Sequence, residues 1–151
     1  MGYEIERKWN PSMEDARRLA EGAPFKEIVQ GYVCTDPVIR IRRDGDEYYV
    51  TVKGKGTLKR EEINLPVTKE AYDELMEKSS GRIISKRRYR IPYEGRTIEL
   101  DFFNGKYEGL LILEIEFENE EEARDFNAPE CFGAEVTGDY RFTNAYLSQN
   151  L

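Results

Sequence analysis

The feature that most constrains this chain is a series of same-sign charge pairs whose members lie two positions apart. The pairs are Glu4/Glu6, Arg40/Arg42, Lys86/Arg88 and Glu114/Glu116. Side chains of a β-strand alternate between its faces, so both members of each pair share one face, about 6.8 Å apart. Their repulsion is about 0.6 kcal/mol in water and about 2.4 kcal/mol at an effective dielectric constant of 20. If these faces are enclosed, counter-charges must lie between them.

Strand-like alternation of side chains runs through most of the sequence and predicts eight strands. We expect them over 3–9, 28–33, 38–43, 47–53, 58–65, 83–91, 96–103 and 110–118. The dipeptides Asp44-Gly45, Glu94-Gly95 and Asn104-Gly105 stand between neighbouring runs and are typical of hairpin turns. The pattern therefore favours antiparallel pairing.

Helical spacing of apolar residues interrupts the strands. We expect helices between Ser12 and Gly22, between Thr68 and Gly81, from Asn119 onwards with a capping box to Glu122, and over about 143–149. The sequence contains 151 residues, 39% of them hydrophobic, and shows neither an internal repeat nor a low-complexity linker, so we expect one domain spanning 1–151. Many antiparallel strands with a few peripheral helices predict an α+β fold with a barrel or a strongly curved sheet.

The composition excludes several classes of function. The chain has no histidine, which removes serine–histidine and cysteine–histidine nucleophile pairs and most catalytic zinc sites. A net charge of −7 disfavours duplex binding, so we expect no nucleic-acid partner. No apolar run approaches the length of a membrane span or of a signal peptide, so we expect no membrane partner. Cys34 and Cys131 lack metal-ligand spacing, which favours reduced thiols in a cytoplasmic protein.

Assigning the predicted strand residues to two faces groups the charges. The acidic residues on the charged faces are Glu4, Glu6, Glu62, Glu99, Asp101, Glu114 and Glu116. The basic residues are Lys8, Arg40, Arg42, Lys53, Arg60, Lys86 and Arg88. For any single strand, the simplest interpretation is a sheet with one solvated face. The repetition of like pairs instead favours an enclosed cavity for a ligand of both signs, such as a polyanion with a divalent metal.

The chemistry of these side chains fits that interpretation. Guanidinium groups match phosphate oxygens in bidentate fashion, and lysines add point charge. Paired carboxylates without histidine or thiolate select a hard cation such as Mg²⁺ or Mn²⁺. If the charged faces point inward, the apolar outer faces must be covered, and we expect the amphipathic helices to cover them.

The order of the motifs resembles the CYTH, or triphosphate tunnel metalloenzyme, family. The run Glu4-Ile5-Glu6-Arg7-Lys8 is similar to the family's ExExK signature. The further matching segments are 38–42, 51–56, 60–62, 86–89, 99–103, 113–117, 135–137 and 139–141. One position departs from the family pattern, because Asn64 stands where the family often has the last acidic residue of RxExE.

The resemblance implies an eight-stranded antiparallel β-barrel with a charged tunnel that binds a triphosphate group and divalent metal. The implied phosphate-binding residues are Lys8, Arg40, Arg42, Lys53, Lys86 and Arg88, with Arg60 as a seventh. The implied ligands of Mg²⁺ or Mn²⁺ are Glu4, Glu6, Glu114 and Glu116, with Asp101 as a further one. The residues expected to act in catalysis are Lys8, Glu4, Glu6 and Glu116. Alternatively, Arg60, Glu62 and Glu99 form ion pairs of the tunnel wall.

The expected activity is hydrolysis of a phosphoanhydride bond of inorganic triphosphate, a reaction in which positioning and charge stabilisation dominate. Class IV adenylyl cyclases and thiamine or nucleoside triphosphatases share the same motifs and stay open as alternatives. A polyphosphate- or nucleotide-binding module without turnover is a third, and an interaction domain with solvated charged faces is a fourth. The expected partner is a small-molecule triphosphate, and the chain is expected to act as a monomer or a homodimer.

Overall fold

The computed structural model describes residues 2–150. The strands are β1 (Gly2–Asn10), β2 (Phe25–Thr35), β3 (Val38–Asp44), β4 (Glu47–Lys53), β5 (Lys59–Pro66), β6 (Ile83–Tyr93), β7 (Arg96–Phe103), β8 (Leu111–Glu116) and β9 (Ala134–Glu135). The α-helices are α1 (Met13–Ala20), α2 (Lys69–Lys78), α3 (Glu120–Asp125) and α4 (Asn144–Gln149). Single 3₁₀ turns lie at Gly105–Tyr107, Glu130–Phe132 and Tyr140–Phe142. Of the helices between residues 2 and 150, none has the length and apolar character needed to cross a membrane.

Eight of the strands close into an antiparallel barrel. Around the ring their order is β1, β5, β4, β3, β2, β6, β7 and β8, and β8 pairs with β1 to complete it. At the closure Glu4 lies opposite Arg60 on β5, and Glu6 lies opposite Glu116 on β8. The short strand β9 adds to β1 beside Trp9. The predicted α+β fold, an eight-stranded antiparallel barrel with peripheral helices, is confirmed.

Two tight turns fix the register of neighbouring strands. Gly45, at φ +62°, lies in the two-residue turn between β3 and β4. Glu94 and Gly95, at φ +48° and +77°, join β6 to β7. The second turn has positive φ at both central positions and the first has it at Gly45, and both patterns give a turn whose twist matches that of antiparallel strands. The third expected hairpin differs, since Asn104 is followed by a 3₁₀ turn and a longer connection between β7 and β8.

Most helix starts follow the polar residues that the sequence predicts. Ser12, Thr68, Asn119 and Thr143 each accept a hydrogen bond from the backbone N–H three residues further on. The largest difference in a strand boundary concerns β2, which is longer than the expected 28–33. Its first residues pair with β6, Phe25 lying opposite Tyr89, so the partner strand extends β2 beyond its own apolar alternation.

The outer face of β1, β7 and β8 carries the main apolar core. Buried side chains there include Trp9, Ile98 and Leu113, and they pack beneath α1, α3 and the 3₁₀ turn that follows. The Trp9 ring meets the rings of Phe126 and Phe132 edge-on, with centroid distances of 5.8 and 5.2 Å. On this side of the barrel the helices cover the apolar face, as expected.

The outer face of β5 is not covered in this way. Helix α2 lies over β2 and β3, where it approaches closely because position 31 is glycine: a Cβ on Gly31 would lie 2.6 Å from the Cβ of Ser79. On β5 the outward side chains Ile63 and Leu65 are 45% and 60% exposed. The expectation that the helices cover the apolar outer faces is therefore wrong for β5, because α2 crosses to the other side of β4.

Helix α4 covers one end of the barrel and does not pack on its outside. Its Leu147 packs against Ile84, Phe103 and Ile112. These three residues share the inward-facing parity of the charged positions on β6, β7 and β8, so the inner wall is apolar at this end. The opposite end carries the two tight turns and the exposed side chain of Glu116. The charged part of the bore lies between these two ends.

Candidate active site

A cavity of about 960 Å³ occupies the barrel, and side chains of all eight strands line it. Of the fourteen charged residues assigned to the inward faces, twelve line this cavity. They are Glu4, Glu6, Lys8, Arg40, Arg42, Lys53, Arg60, Glu62, Arg88, Glu99, Glu114 and Glu116. The other two, Lys86 and Asp101, are buried in the wall behind it. The charged faces therefore point into the bore, and an interaction domain with solvated charged faces does not fit this arrangement.

The two arginines of β3 are buried without a counter-ion. Arg40 and Arg42 are 7% and 6% exposed, and within residues 2–150 neither forms an ion pair with a carboxylate. Arg40 donates to the Thr51 hydroxyl over 3.1 Å, and its Nε is buried without a hydrogen-bond partner. Burial, followed by the neighbouring charges of Arg40 and Arg88, lowers the pKa of Arg42. This side of the bore carries positive charge that an anion would stabilise.

The wall formed by β1 and β8 carries the opposite excess. Glu6 lies opposite Glu116, and Lys8 lies opposite Glu114. Burial raises the pKa of Glu6 to about 8, and the negative charge of Glu114 is the second largest cause of this shift. Burial, and then Glu4, also raises the pKa of Glu116. Because carboxylates with raised pKa values lack sufficient positive charge nearby, this wall would be stabilised by a cation.

The donor set on this wall fits a hard divalent cation, which binds carboxylate oxygens. The nearest positive group to Glu6 and Glu114 among the ion pairs is Lys8, whose Nζ lies 3.7 Å from Glu6 Oε1 and 3.8 Å from Glu114 Oε1. In the part of the chain that the structure describes, no three acidic side chains converge into a preassembled metal site. The carboxylates thus have the right chemistry, and their final approach would come with the ion.

The positive and negative walls face each other across the bore. In the ring of eight strands, β3 and β8 are separated by four steps in either direction, which places them opposite one another. Arg40 and Arg42 therefore project from the wall opposite Glu114 and Glu116. A ligand that combines several negative charges with a bound divalent cation matches this separation of charge.

The basic pair of β6 has a different environment. Asp101, 1% exposed, accepts hydrogen bonds from Arg88 Nε over 2.7 Å and from a terminal nitrogen over 2.9 Å. Lys86, fully buried, lies 2.7 Å from the same carboxylate. Burial lowers the pKa of Lys86 to about 7. Burial favours the neutral acid at Asp101, but Arg88 and Lys86 outweigh it and hold the pKa of Asp101 well below its usual range. Glu99 also pairs with Arg88, so the two cations of this strand have two carboxylate partners in the wall.

The remaining predicted site residues are paired along the bore. Lys53 Nζ lies 2.9 Å from Glu4 Oε2 and 3.3 Å from Glu62 Oε2, and Arg60 Nε lies 3.4 Å from Glu4 Oε1. Burial favours the neutral form of Glu62, but its contacts with Glu4 and Lys53 outweigh this and lower its pKa to about 2. Glu99 Oε2 lies 3.2 Å from a terminal nitrogen of Arg88. Arg60, Glu62 and Glu99 thus both line the cavity and form ion pairs of its wall.

Several neutral residues hold the charged ones, a role that the sequence did not predict for Gln30 or for Asn64, which was noted only as a departure from the family pattern. Gln30, which is fully buried, accepts from Arg42 Nε over 2.8 Å. Asn64 accepts from the Thr51 hydroxyl over 2.6 Å and donates to Glu62 over 2.6 Å. Assigning faces by parity on β2 would have found Gln30, because it is a polar residue at an inward position. Gln30 was not included because only charged residues were assigned to the two faces.

A closed barrel whose bore separates anionic from cationic side chains is the architecture predicted from the CYTH resemblance. The profile of the CYTH domain matches residues 2–137, and the chain belongs to the CYTH family. It is 38% identical over 154 aligned residues to the inorganic triphosphatase of Acetivibrio thermocellus, covering 99% of this chain and 96% of that one. It is 36% identical over 127 residues to the inorganic triphosphatase of Nitrosomonas europaea, covering 81% and 83%. The crystal structure of the inorganic triphosphatase NE1496 superposes with a TM-score of 0.71 at 31% identity, covering 100% of this chain and 97% of that one.

Proposed function

We propose that the protein is a divalent-metal-dependent hydrolase that cleaves a phosphoanhydride bond of inorganic triphosphate inside the barrel. The observation that carries the proposal is the pair Arg40 and Arg42, which are buried without an acidic partner opposite the carboxylates of β8. Buried guanidinium groups of this kind need an anion, and phosphate oxygens match their geometry. The names of the two similar proteins from Acetivibrio thermocellus and Nitrosomonas europaea support inorganic triphosphate as the substrate.

The basic residues of the cavity divide into two groups. The proposed phosphate-binding residues are Lys8, Arg40, Arg42, Lys53 and Arg88, with Arg60 at the edge of the group. Lys86 and Asp101, which the sequence assigned to phosphate and metal, pair with each other, and Asp101 also pairs with Arg88. We therefore propose that they brace Arg88 from behind the wall and do not touch the substrate or the metal.

The proposed metal-binding residues are Glu4, Glu6, Glu114 and Glu116. Oxygen-only donors favour Mg²⁺ or Mn²⁺. When bound, such an ion neutralises phosphate charge and makes a bound water more acidic. Burial, and then the charge of Glu4, raises the pKa of Glu116 in the ion-free chain, and a bound cation would favour the charged form of this carboxylate as a ligand. Lys8, between Glu6 and Glu114, is placed to donate to a phosphate oxygen next to these carboxylates.

The other proposed properties follow from the same features. The substrate is a small molecule, because the charged groups face an internal cavity and not an exposed surface. We expect neither a nucleic acid nor a membrane as partner, and a monomer or homodimer as the working state. Cys34 and Cys131 are free thiols, which supports a cytoplasmic location.

A substrate panel tests the proposal. Phosphate release is measured from tripolyphosphate, ATP and thiamine triphosphate, each with Mg²⁺ or Mn²⁺, and we expect tripolyphosphate to be hydrolysed fastest. Formation of cyclic AMP from ATP as the preferred reaction would overturn this ranking in favour of a cyclase. Tight binding of tripolyphosphate without turnover by the unmodified protein would favour a binding module.

One variant separates metal-dependent catalysis from simple binding. Glu116→Gln should abolish hydrolysis and leave tripolyphosphate binding in EDTA largely intact, because the phosphate-binding residues keep their places. Glu118→Gln, an exposed change of the same kind two residues away, is the matched control and should hydrolyse normally. Normal turnover by Glu116→Gln would remove Glu116 from the proposed site.

A further inference from the structure

The two arginines of β3 are held by neutral side chains. Arg42 donates from Nε to the Gln30 carbonyl oxygen over 2.8 Å, and Arg40 donates from a terminal nitrogen to the Thr51 hydroxyl over 3.1 Å. A carboxylate at either place would hold the guanidinium equally well and would also neutralise it. The wall therefore orients these arginines and leaves their charge uncompensated.

The hydrogen bonds around Gln30 fix which end of its side-chain amide faces Arg42. Its Nε2 donates to the Tyr32 hydroxyl over 3.0 Å and to Asn144 Oδ1 over 3.1 Å. Asn144 Oδ1 also accepts from Lys86 Nζ over 3.1 Å. Arg42 is a donor without acceptor capacity, so Gln30 must present its carbonyl oxygen to Arg42 and its amide nitrogen to Asn144. The hydrogen bonds thus converge on Asn144 Oδ1, from Lys86 on one side and from Arg42 through Gln30 on the other.

We propose that Gln30 is a positioning residue for triphosphate binding, holding Arg42 Nε with a neutral acceptor so that both terminal nitrogens and the full charge of Arg42 remain for the phosphates. The inference rests on the proposed function, since it takes Arg42 as a phosphate ligand. Asn144, the first residue of α4, fixes the Gln30 amide from the other side. The orientation of Arg42 therefore depends on the docking of α4 at the end of the barrel.

Arg40 shows the same arrangement independently. Thr51, which accepts from Arg40, donates in turn to Asn64 Oδ1 over 2.6 Å. A second neutral side chain again stands behind the first. Both arginines of β3 thus have a neutral acceptor that is itself fixed by an asparagine.

Two substitutions at Gln30 test the proposal by separating charge from orientation. Gln30→Glu keeps an acceptor for Arg42 and adds a negative charge, whereas Gln30→Met removes the acceptor at similar length. The dissociation constant of tripolyphosphate is measured by calorimetry in EDTA, so that no turnover is required. We expect both variants to bind about tenfold or more weakly. The ligand-free Gln30→Glu protein should melt at or above the temperature of the unmodified protein, because the new carboxylate compensates Arg42.

A matched control and a double-variant cycle identify the route of the effect. Asn127→Asp makes the same change from amide to carboxylate at an exposed position outside the barrel and should bind normally. In an Arg42→Met background, Gln30→Met should cause no further loss of affinity, since Gln30 acts through Arg42. Asn144→Ala, which leaves the Gln30–Arg42 bond in place, should weaken binding about threefold and carries the test if the Gln30 variants do not fold.

The outcomes distinguish this inference from the proposed function. Binding by both Gln30 variants within twofold of the unmodified protein would overturn the inference, as would an undiminished Gln30 effect in the Arg42→Met background. If the unmodified protein binds tripolyphosphate but does not hydrolyse it, the proposed function fails and the inference is still tested by these affinities. Absence of any tripolyphosphate binding would overturn both.

Discussion

Two basic pairs of the barrel wall, Arg40/Arg42 and Lys86/Arg88, have the same spacing in the sequence and opposite electrostatic surroundings in the fold. On β6 the pair shares the buried carboxylate of Asp101, at 2.7 Å from each residue. On β3 the pair has neutral hydrogen-bond partners. A neutralised pair stabilises the wall, whereas an uncompensated pair costs stability in the free protein and gains from an anion. Lys86 lies behind the wall, Arg88 pairs with Asp101 and also lines the cavity, and Arg40 and Arg42 line the cavity without a carboxylate partner.

The largest expected effect comes from removing Asp101, the carboxylate that the β6 pair shares. Asp101→Ala leaves Lys86 buried without a counter-ion and Arg88 with only the partly exposed Glu99, and removing one partner of a buried pair costs about 3–5 kcal/mol. We expect the free energy of unfolding, measured by urea denaturation, to fall by this amount. Glu99→Gln changes a second acidic partner of Arg88 that is 31% exposed, and should cost much less. Equal losses for the two variants would contradict the assignment of Asp101 as the principal counter-ion.

Removing a charge from the β3 pair should weaken ligand binding and leave the stability of the fold largely unchanged. Arg42→Gln relieves a buried like-charge cluster, so the free energy of unfolding should stay within about 1 kcal/mol of the unmodified protein or rise. Tripolyphosphate binding should weaken about tenfold to a hundredfold, since hydrogen bonds to charged groups contribute about 1.5–3 kcal/mol. Calorimetry and urea denaturation measure the two quantities. A large loss of stability with unchanged affinity would reverse the comparison.

The pH dependence of stability should reveal the contribution of the Asp101 ion pairs. The pKa of Asp101 is held below its usual range in the folded state, so its ion pairs stabilise the fold above the unfolded value of about 3.9 and are lost as the pH falls below it. The stability difference between the unmodified protein and Asp101→Asn should therefore be largest above about pH 5 and shrink below about pH 4. Denaturation series at several pH values measure it. A difference independent of pH would show that the charge of Asp101 is not responsible.

The smallest expected effect tests the neutral surroundings of β3. Asn64→Asp introduces a carboxylate next to Thr51, one side chain removed from Arg40, and should partly compensate that arginine. At this separation in a partly exposed site the interaction is worth about 0.5–1 kcal/mol, so tripolyphosphate affinity should fall about twofold to fivefold. Asn150→Asp provides an exposed control with the same chemical change. An increase in affinity would contradict the comparison.

Much of the wall could be predicted because alternation along a strand is a local property. Parity put Glu4, Glu6, Arg42 and Glu114 on the charged faces, the repetition of like pairs predicted that these faces are enclosed, and each of the four residues lines the cavity. The partners of each charge could not be assigned in the same way. Arg88 lies opposite Asp101 on β7 because β6 neighbours β7, and no local pattern states which strands are neighbours.

The hydrogen-bond partners of the β3 arginines could not be predicted from the local sequence either. Arg40 lies opposite Tyr32 and Thr51, and Arg42 lies opposite Gln30 and Tyr49. No carboxylate stands at these positions, and that fact depends on strand order and on the shear of the barrel. The end-covering role of α4 was missed for a similar reason: its caps and spacing predict a helix, but the inward apolar patch that receives Leu147 is assembled from three strands.

The sequence by itself determined the inward and outward sets of side chains, the antiparallel strands, the helix starts and the excluded chemistries, because these depend on neighbours within a few positions along the chain. Only the tertiary structure decided which charges are neutralised and which remain to bind a ligand, since strand order and register set the distances between side chains far apart in sequence. Those distances give one basic pair a shared buried carboxylate and leave the other pair, of the same spacing, with neutral hydrogen-bond partners.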